Sequence, residues 1–152
     1  AKFTVASETA SVYTKASISV GNNAFSTLYL TGTTGNFDGV LLADNFGTPN
    51  TEKAYVRFIN LSPDAPTLDL TIKDPATSLV TNKAYKAASE FIAVDPGAKV
   101  FELKETVSGN VKSTLESTTL VKANFYTVIA RGKVTPSGSL ERNFGGQVIL
   151  HQ

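Results

Sequence analysis

Between Thr67 and Lys73 the chain alternates without a fault, with Leu68, Leu70 and Ile72 on one side and Thr67, Asp69, Thr71 and Lys73 on the other. A period of two marks a strand with one buried face. Residues 55–61, 90–94, 100–104, 115–121, 125–131 and 147–150 are further strand candidates, rich in β-branched and aromatic side chains. Turn formers separate them: Ser62-Pro63-Asp64-Ala65-Pro66, Lys73-Asp74-Pro75, Asp95-Pro96-Gly97, Ser108-Gly109-Asn110, Pro136-Ser137-Gly138 and Gly145-Gly146. The only helix-tolerant stretch, 82–89, is short and reads as a loop or a single turn. Many short strands at this spacing predict an all-β, immunoglobulin-like antiparallel β-sandwich. Its expected core holds Leu68, Leu70, Ile72, Phe101, Leu103 and Val128.

The pattern also repeats. Residues 1–11 set against 98–108 coincide at Ala1/Ala98, Lys2/Lys99, Glu8/Glu105, Thr9/Thr106 and Ser11/Ser108. After a gap at 109–111, residues 12–32 set against 112–132 coincide at Thr14/Thr114, Ser17/Ser117, Phe25/Phe125, Thr27/Thr127 and Gly32/Gly132. Phe37-Asp38-Gly39 before an apolar run echoes Phe144-Gly145-Gly146 before another. The expected organisation is therefore a back half-repeat at 1–45, a linker at 46–53 and a complete β-sandwich repeat at 54–152. With Ala1 first and no methionine, the chain reads as a mature product or an excised piece.

Composition narrows the function classes. Net charge is +1, and the lysines are scattered (Lys2, Lys15, Lys53, Lys73, Lys99, Lys133), so no cluster offers to neutralise several phosphates at once; nucleic acid is not an expected partner. Zero cysteines remove disulfides, thiolate metal sites and thiol nucleophiles together. No apolar run is long enough to span a bilayer.

At Tyr55-Val56-Arg57-Phe58-Ile59-Asn60-Leu61-Ser62-Pro63-Asp64-Ala65-Pro66, followed by Leu68-Asp69-Leu70, the chain resembles the bacterial family of domains of unknown function numbered 4397. That family's signature is a V-R-F/V-x-N/H-x-S-P-D-A-P strand and turn. Ala84-Tyr85-Lys86-Ala87-Ala88-Ser89-Glu90-Phe91, Val94-Asp95-Pro96-Gly97 and Tyr126-Thr127-Val128 with Arg131-Gly132 are similar to its later landmarks. The resemblance is strong over 54–132, while 1–32 matches the back half alone. It implies an exported, often lipid-anchored or surface-exposed protein with tandem copies, sometimes labelled an adhesin. No activity comes with it.

Candidate chemistry is sparse. His151, the sole histidine, lies next to the C-terminus and reads as a surface group rather than a general base. Asp64, Asp69, Asp74 and Asp95 fall near turns, where two could pair as acid and base or several could bind calcium. The plainer reading gives Asp64 and Asp95 to the capping of turn N–H groups and Asp69 to an outward strand face. The glycine-rich segments at 35–39 and 143–146 open no helix, so they do not read as phosphate cradles. Phe37 and Phe144 read as core plugs at a turn, and Phe46 as a linker ring docked between the units or a contact to a partner. Asn60-Leu61-Ser62 fits a glycosylation sequon.

No catalytic, cofactor-binding or metal residue is assigned, and no cofactor is expected. The expected function is a non-enzymatic structural or adhesive module, extracellular or at the surface of a bacterium, self-associating through residues 1–45 into a dimer or filament. Host or matrix proteins and glycans are the other expected partners. A carbohydrate-binding module of an exported protein is the alternative, weakened by the lack of tryptophan.

Overall fold

A computed structural model describes every residue except Val5, Ser7, Glu8, Ala16, Ser139, Leu140 and Gln152, and all fourteen regular elements among the described residues are strands. The protein is all-β. It divides into two compact units, Ala1–Asn45 and Phe46–Gln152.

The first unit holds β1 (Lys2–Thr4), β2 (Ser11–Thr14), β3 (Ser26–Thr33) and β4 (Asn36–Ala43) as two separate two-stranded ribbons, β1-β2 and β3-β4. β3 and β4 pair without interruption, from Ser26 opposite Ala43 to Thr33 opposite Asn36.

The second unit continues with β5 (Ala54–Asn60), β6 (Leu68–Ile72), β7 (Thr77–Lys83), β8 (Ile92–Val94), β9 (Gly97–Lys99), β10 (Phe101–Glu105), β11 (Val111–Thr114), β12 (Thr118–Leu120), β13 (Phe125–Arg131) and β14 (Gly145–His151). Two four-stranded sheets, β11-β10-β6-β7 and β14-β13-β5-β8, share one core, and β9 and β12 form a small ribbon of their own. The alternation in β6 acts as the pattern predicts. Leu68, Leu70 and Ile72 turn inward with Val80, Phe101 and Leu103 to meet Val56, Phe58 and Val128 of the facing sheet. All six expected core residues are buried.

Two expectations about the strands need correction. The sandwich is not antiparallel throughout: β5 and β13, at the centre of one sheet, run parallel, from Phe125 opposite Tyr55 to Ala130 opposite Asn60. Both strands are buried on nearly every residue, on both faces, the environment in which parallel pairing is found. The long excursion through the other sheet supplies the crossover that a parallel pair requires. The single strand expected at 115–121 is broken, because Leu115 turns into the core and pairing resumes only at Thr118, opposite Lys99.

The two units share a ladder. In the first, Lys2 lies opposite Thr14 and Phe3 opposite Tyr13, and a bulge then brings Thr4 opposite Ser11. In the second, Glu102 lies opposite Thr114 and Leu103 opposite Ser113, and a bulge brings Lys104 opposite Val111. Each position recurs 100 residues later, so the alignment of 1–11 with 98–108, an offset of 97, is three residues out. Ala, Lys, Thr and Ser suit exposed ribbon positions at many registers, and the bulge is the better marker. Glu8, one of the coincidences, lies outside the described residues. From residue 12 onward the offset of 100 stands. Gly32 and Gly132 both adopt positive φ (113° and 78°), and a Cβ on either would strike a backbone carbonyl, that of Asn36 or of Asn143. Only the intervening loop is longer in the second unit, so Leu41, opposite Leu28, answers to Val148, opposite Val128.

Candidate functional site

The signature strand β5 turns alternate residues away from the core. Ala54, Val56 and Phe58 belong to the core, which leaves Tyr55, Arg57 and Ile59 on the other side. Arg57 lies opposite Thr127 in the parallel ladder, and its Nε donates to Thr127 Oγ1 at 2.8 Å. The guanidinium sits over the Phe91 ring, 4.6 Å from its centroid. Thr127 Oγ1 also lies 2.6 Å from His151 Nε2. Thr127 is fully buried and Arg57 only 2% exposed. A buried guanidinium is tolerated only with partners, and a hydroxyl plus an aromatic face serve here.

Rings close around this trio. Phe46 packs on Phe125 at 4.9 Å between centroids, on Phe91 at 5.7 Å and on His151 at 5.7 Å. Tyr55 stacks on Phe125 at 4.7 Å. His151 is therefore not a surface group, as its place near the terminus suggested; it is half-buried in an aromatic cluster. Phe46, expected in the linker, contributes its ring to the same cluster. With Thr127 sealed from solvent, the trio ties β5 to β13 and β13 to β14.

The turn after β5 explains the rest of the signature. Asn60 is fully buried, and its Nδ2 donates to Pro66 O at 3.3 Å and Lys83 O at 3.1 Å, while its Oδ1 accepts from Ser62 N–H at 3.1 Å. Both amide hydrogens are engaged, which rules Asn60 out as a glycosylation acceptor in the folded chain. Ser62 Oγ donates to Gly132 O at 2.7 Å. Asp64 reaches the same distant loop and accepts from Val134 N–H at 2.9 Å, Thr135 N–H at 3.0 Å and Thr135 Oγ1 at 3.0 Å. Asp64 thus caps N–H groups of the β13–β14 loop, beside weaker bonds within its own turn. Burial pushes its carboxyl up, yet the hydrogen bonds from Thr135 and Val134 outweigh that and hold it below the ordinary value. Within that loop, Glu141 accepts from Ser137 N–H at 2.7 Å and pairs with Lys133 at 3.1 Å, and these contacts, with the Ser137 backbone bond first, also hold its carboxyl low.

The four candidate carboxylates do not converge. Asp64 follows the C-terminal end of β5, whereas Asp95 follows Val94, which pairs with Ala54 at the other end. Seven residues of strand lie between them, about 20 Å. Asp95 caps no turn. It takes Lys53 Nζ at 2.5 Å, and that hydrogen bond and charge, helped by Lys99, lower its pKa. Asp69 accepts from Asn82 N–H at 2.7 Å and Thr106 Oγ1 at 2.6 Å, fastening β6 to its neighbours. Asp74 is exposed in the turn after β6. No group of three or more potential metal ligands occurs among the described residues. A shallow cleft of about 200 Å³ opens near Asp95, lined by Lys53, Ile72, Thr77, Leu79 and Lys99. Phe144 packs against the core as expected, and Phe37 is half-buried.

Sequence reasoning missed the Arg57–Thr127–His151 trio because its members are far apart in the chain. One signal was available: an arginine in the middle of an otherwise apolar strand, which burial forces to find partners.

None of the curated proteins matches the chain. Among solved structures it is similar to the C-terminal domain of AlgF from P. aeruginosa, 20% identical, with 66% of this chain and 99% of that one covered and a TM-score of 0.46. Likeness at that level carries no argument about ligand or partner. A family model described as a domain of unknown function (DUF4397) matches residues 1–71, which run from the first unit through β5 and the signature turn into β6. Over those residues the chain is similar to the DUF4397 family, the one its V-R-F-x-N-x-S-P-D-A-P signature resembles.

Proposed function

We propose that the chain is a non-enzymatic structural or adhesive module of a bacterial cell surface, and that its first unit engages another polypeptide. The observation that carries this reading is the β3-β4 ribbon. Its strands of eight residues each form a complete ladder with each other, in a sheet of two. A two-stranded ribbon alone is marginal in water, and an open strand edge is a template for another chain. The simplest partner is a second copy, giving a dimer or a filament. Sedimentation of the intact chain beside Phe46–Gln152 tests this. Association at micromolar concentration that disappears with the first 45 residues is expected; a strict monomer overturns self-association.

A carbohydrate-binding module is the alternative. The cleft near Asp95, at about 200 Å³, is smaller than ordinary small-molecule sites of roughly 300–1,000 Å³, and the Phe46, Phe91 and Phe125 rings are spent on one another. Both points favour the first reading.

A further inference from the structure

Lysine is a poor choice for an inward position, yet β9 has one. Across the β9-β12 ribbon Gly97 lies opposite Leu120 and Lys99 opposite Thr118. Leu120 belongs to the core of the second unit. Paired and alternate residues of a ladder share a face, so Lys99 leaves the ribbon on the side of Leu120, and it is half-buried there. A lysine so placed either meets a carboxylate or runs its stem along apolar surface to bring the ammonium into the open. Among the described residues no carboxylate pairs with it. What it reaches is the cleft of about 200 Å³. β7 and β8, the outermost strands of the two sheets, both line that cleft, which therefore opens along the seam between the sheets. Its apolar wall is Ile72, Leu79 and Val94; Ile72 and Val94 are core residues, and Leu79 packs against them. Its charged residues are Lys53, Asp95 and Lys99, two cations to one anion. Lys53 Nζ takes Asp95 Oδ1 at 2.5 Å at an exposed position, which leaves the Lys99 ammonium over the apolar wall.

We infer that this cleft is a binding site for a carboxylate carried on a short apolar body, with the anion on Lys99 and the body against Ile72, Leu79 and Val94. Size agrees: a cavity of about 150 Å³ holds a benzene ring, so this one holds a branched or cyclic acid but no sugar chain. Charge agrees as well, because an incoming carboxylate evens the count of cations and anions in the cleft. The site lies wholly in the second unit and does not depend on what the first unit engages.

The probe is 3-methylbutanoate, titrated into the intact chain at constant ionic strength, with amide NMR shifts as the readout. Saturable shifts are expected at Ile72, Leu79, Val94 and Lys99. The neutral 3-methylbutanamide has the same body without the charge and should bind about tenfold more weakly, the worth of one charge-assisted hydrogen bond. Lys99→Met keeps the stem and removes the ammonium, so it should weaken the acid by about the same factor, whereas Lys99→Arg should change it by less than about twofold. Asp95→Asn, at an exposed position, releases Lys53 and should tighten binding. Absence of saturable shifts overturns the proposal. So does equal binding of the amide, or full affinity in Lys99→Met. Should Lys99→Met melt early, Asp95→Asn decides instead, and weaker binding in that variant counts against the site. N-acetyl-alanyl-leucine separates the sources of the carboxylate. Tighter binding than 3-methylbutanoate assigns the site to the C-terminal end of a polypeptide and weaker binding to a free acid; either result upholds it.

Discussion

Phe25 and Phe125 stand at equivalent positions of the two units, yet Phe25 is 66% exposed and Phe125 8%. Val20 and Leu120 differ in the same way, at 46% and 1%. The backbone around them is the same: a glycine of positive φ ends each hairpin, and the same bulge interrupts each short ladder. Even a side-chain contact is conserved in place, with Thr27 Oγ1 donating to Asp44 Oδ2 at 2.7 Å where Thr127 Oγ1 meets His151 Nε2 at 2.6 Å. Ribbons are thus a local property that both sequences encode. A core is not local. It forms where β5 and β6 arrive from elsewhere in the chain, to set Val56 and Phe58 beside Val128 and to bring Leu70 opposite Leu103.

The comparison is most strongly tested where the second unit is tightest. Leu70→Ala, at a fully buried site, should cost about 2–5 kcal/mol, and Leu120→Ala a similar amount. The melting temperature should fall by roughly 4–8 °C for each kcal/mol in a domain of this size. A wild-type melt for Leu70→Ala would mean that β6 does not lie in the core.

Next in size is the strand that makes the difference. Arg57→Ala removes the donor to Thr127 Oγ1 and the cation over Phe91, and should cost about 1–3 kcal/mol in a urea titration. Arg57→Lys should recover less than half of that, because an ammonium cannot reproduce the planar guanidinium that bonds Thr127 and lies on the ring. Full rescue by lysine would show that charge alone matters there.

The signature turn comes third. Asp64→Ala strips three donors of their acceptor and should cost about 1–2 kcal/mol. Acid should mimic it. Asp64 is held below its ordinary value, so it binds its proton more readily unfolded than folded; its contribution is complete above about pH 4 and is lost as pH falls through the lower folded value. Asp95, Glu105 and Glu141 shift in the same direction and also lie in the second unit. Melting from pH 6 to pH 2 should therefore show falling stability, with a shallower slope in Asp64→Ala. A slope unchanged by the substitution would take Asp64 out of the acid response.

How much of this was legible in the sequence follows the same division between local and distant. β6 was plain because alternation is a property of neighbours, and β13 was found to the residue because its seven positions are almost all apolar or β-branched. β7 was missed because Thr77-Ser78-Leu79-Val80-Thr81-Asn82-Lys83 has two apolar residues and reads as loop. The parallel pairing of β5 with β13 leaves no mark on either strand taken alone. The turn chemistry of Asp64 was right in kind, yet its target lies 70 residues away in Val134, which no turn rule identifies.

The smallest expected effect bears most directly on the comparison. Val20→Ala removes two methyl groups from a side chain that is 46% exposed, and such surface changes stay within about 0.5 kcal/mol. Its counterpart Leu120 lies in a packed core, where the same kind of truncation leaves a cavity. Paired chemical denaturation of the two variants measures the ratio directly, and a several-fold difference is expected. If Val20→Ala instead costs as much as Leu120→Ala, Val20 is covered in solution and the first unit owns a closed core. The contrast between the two ribbons would then vanish, and with it the reason for the first unit to engage another chain.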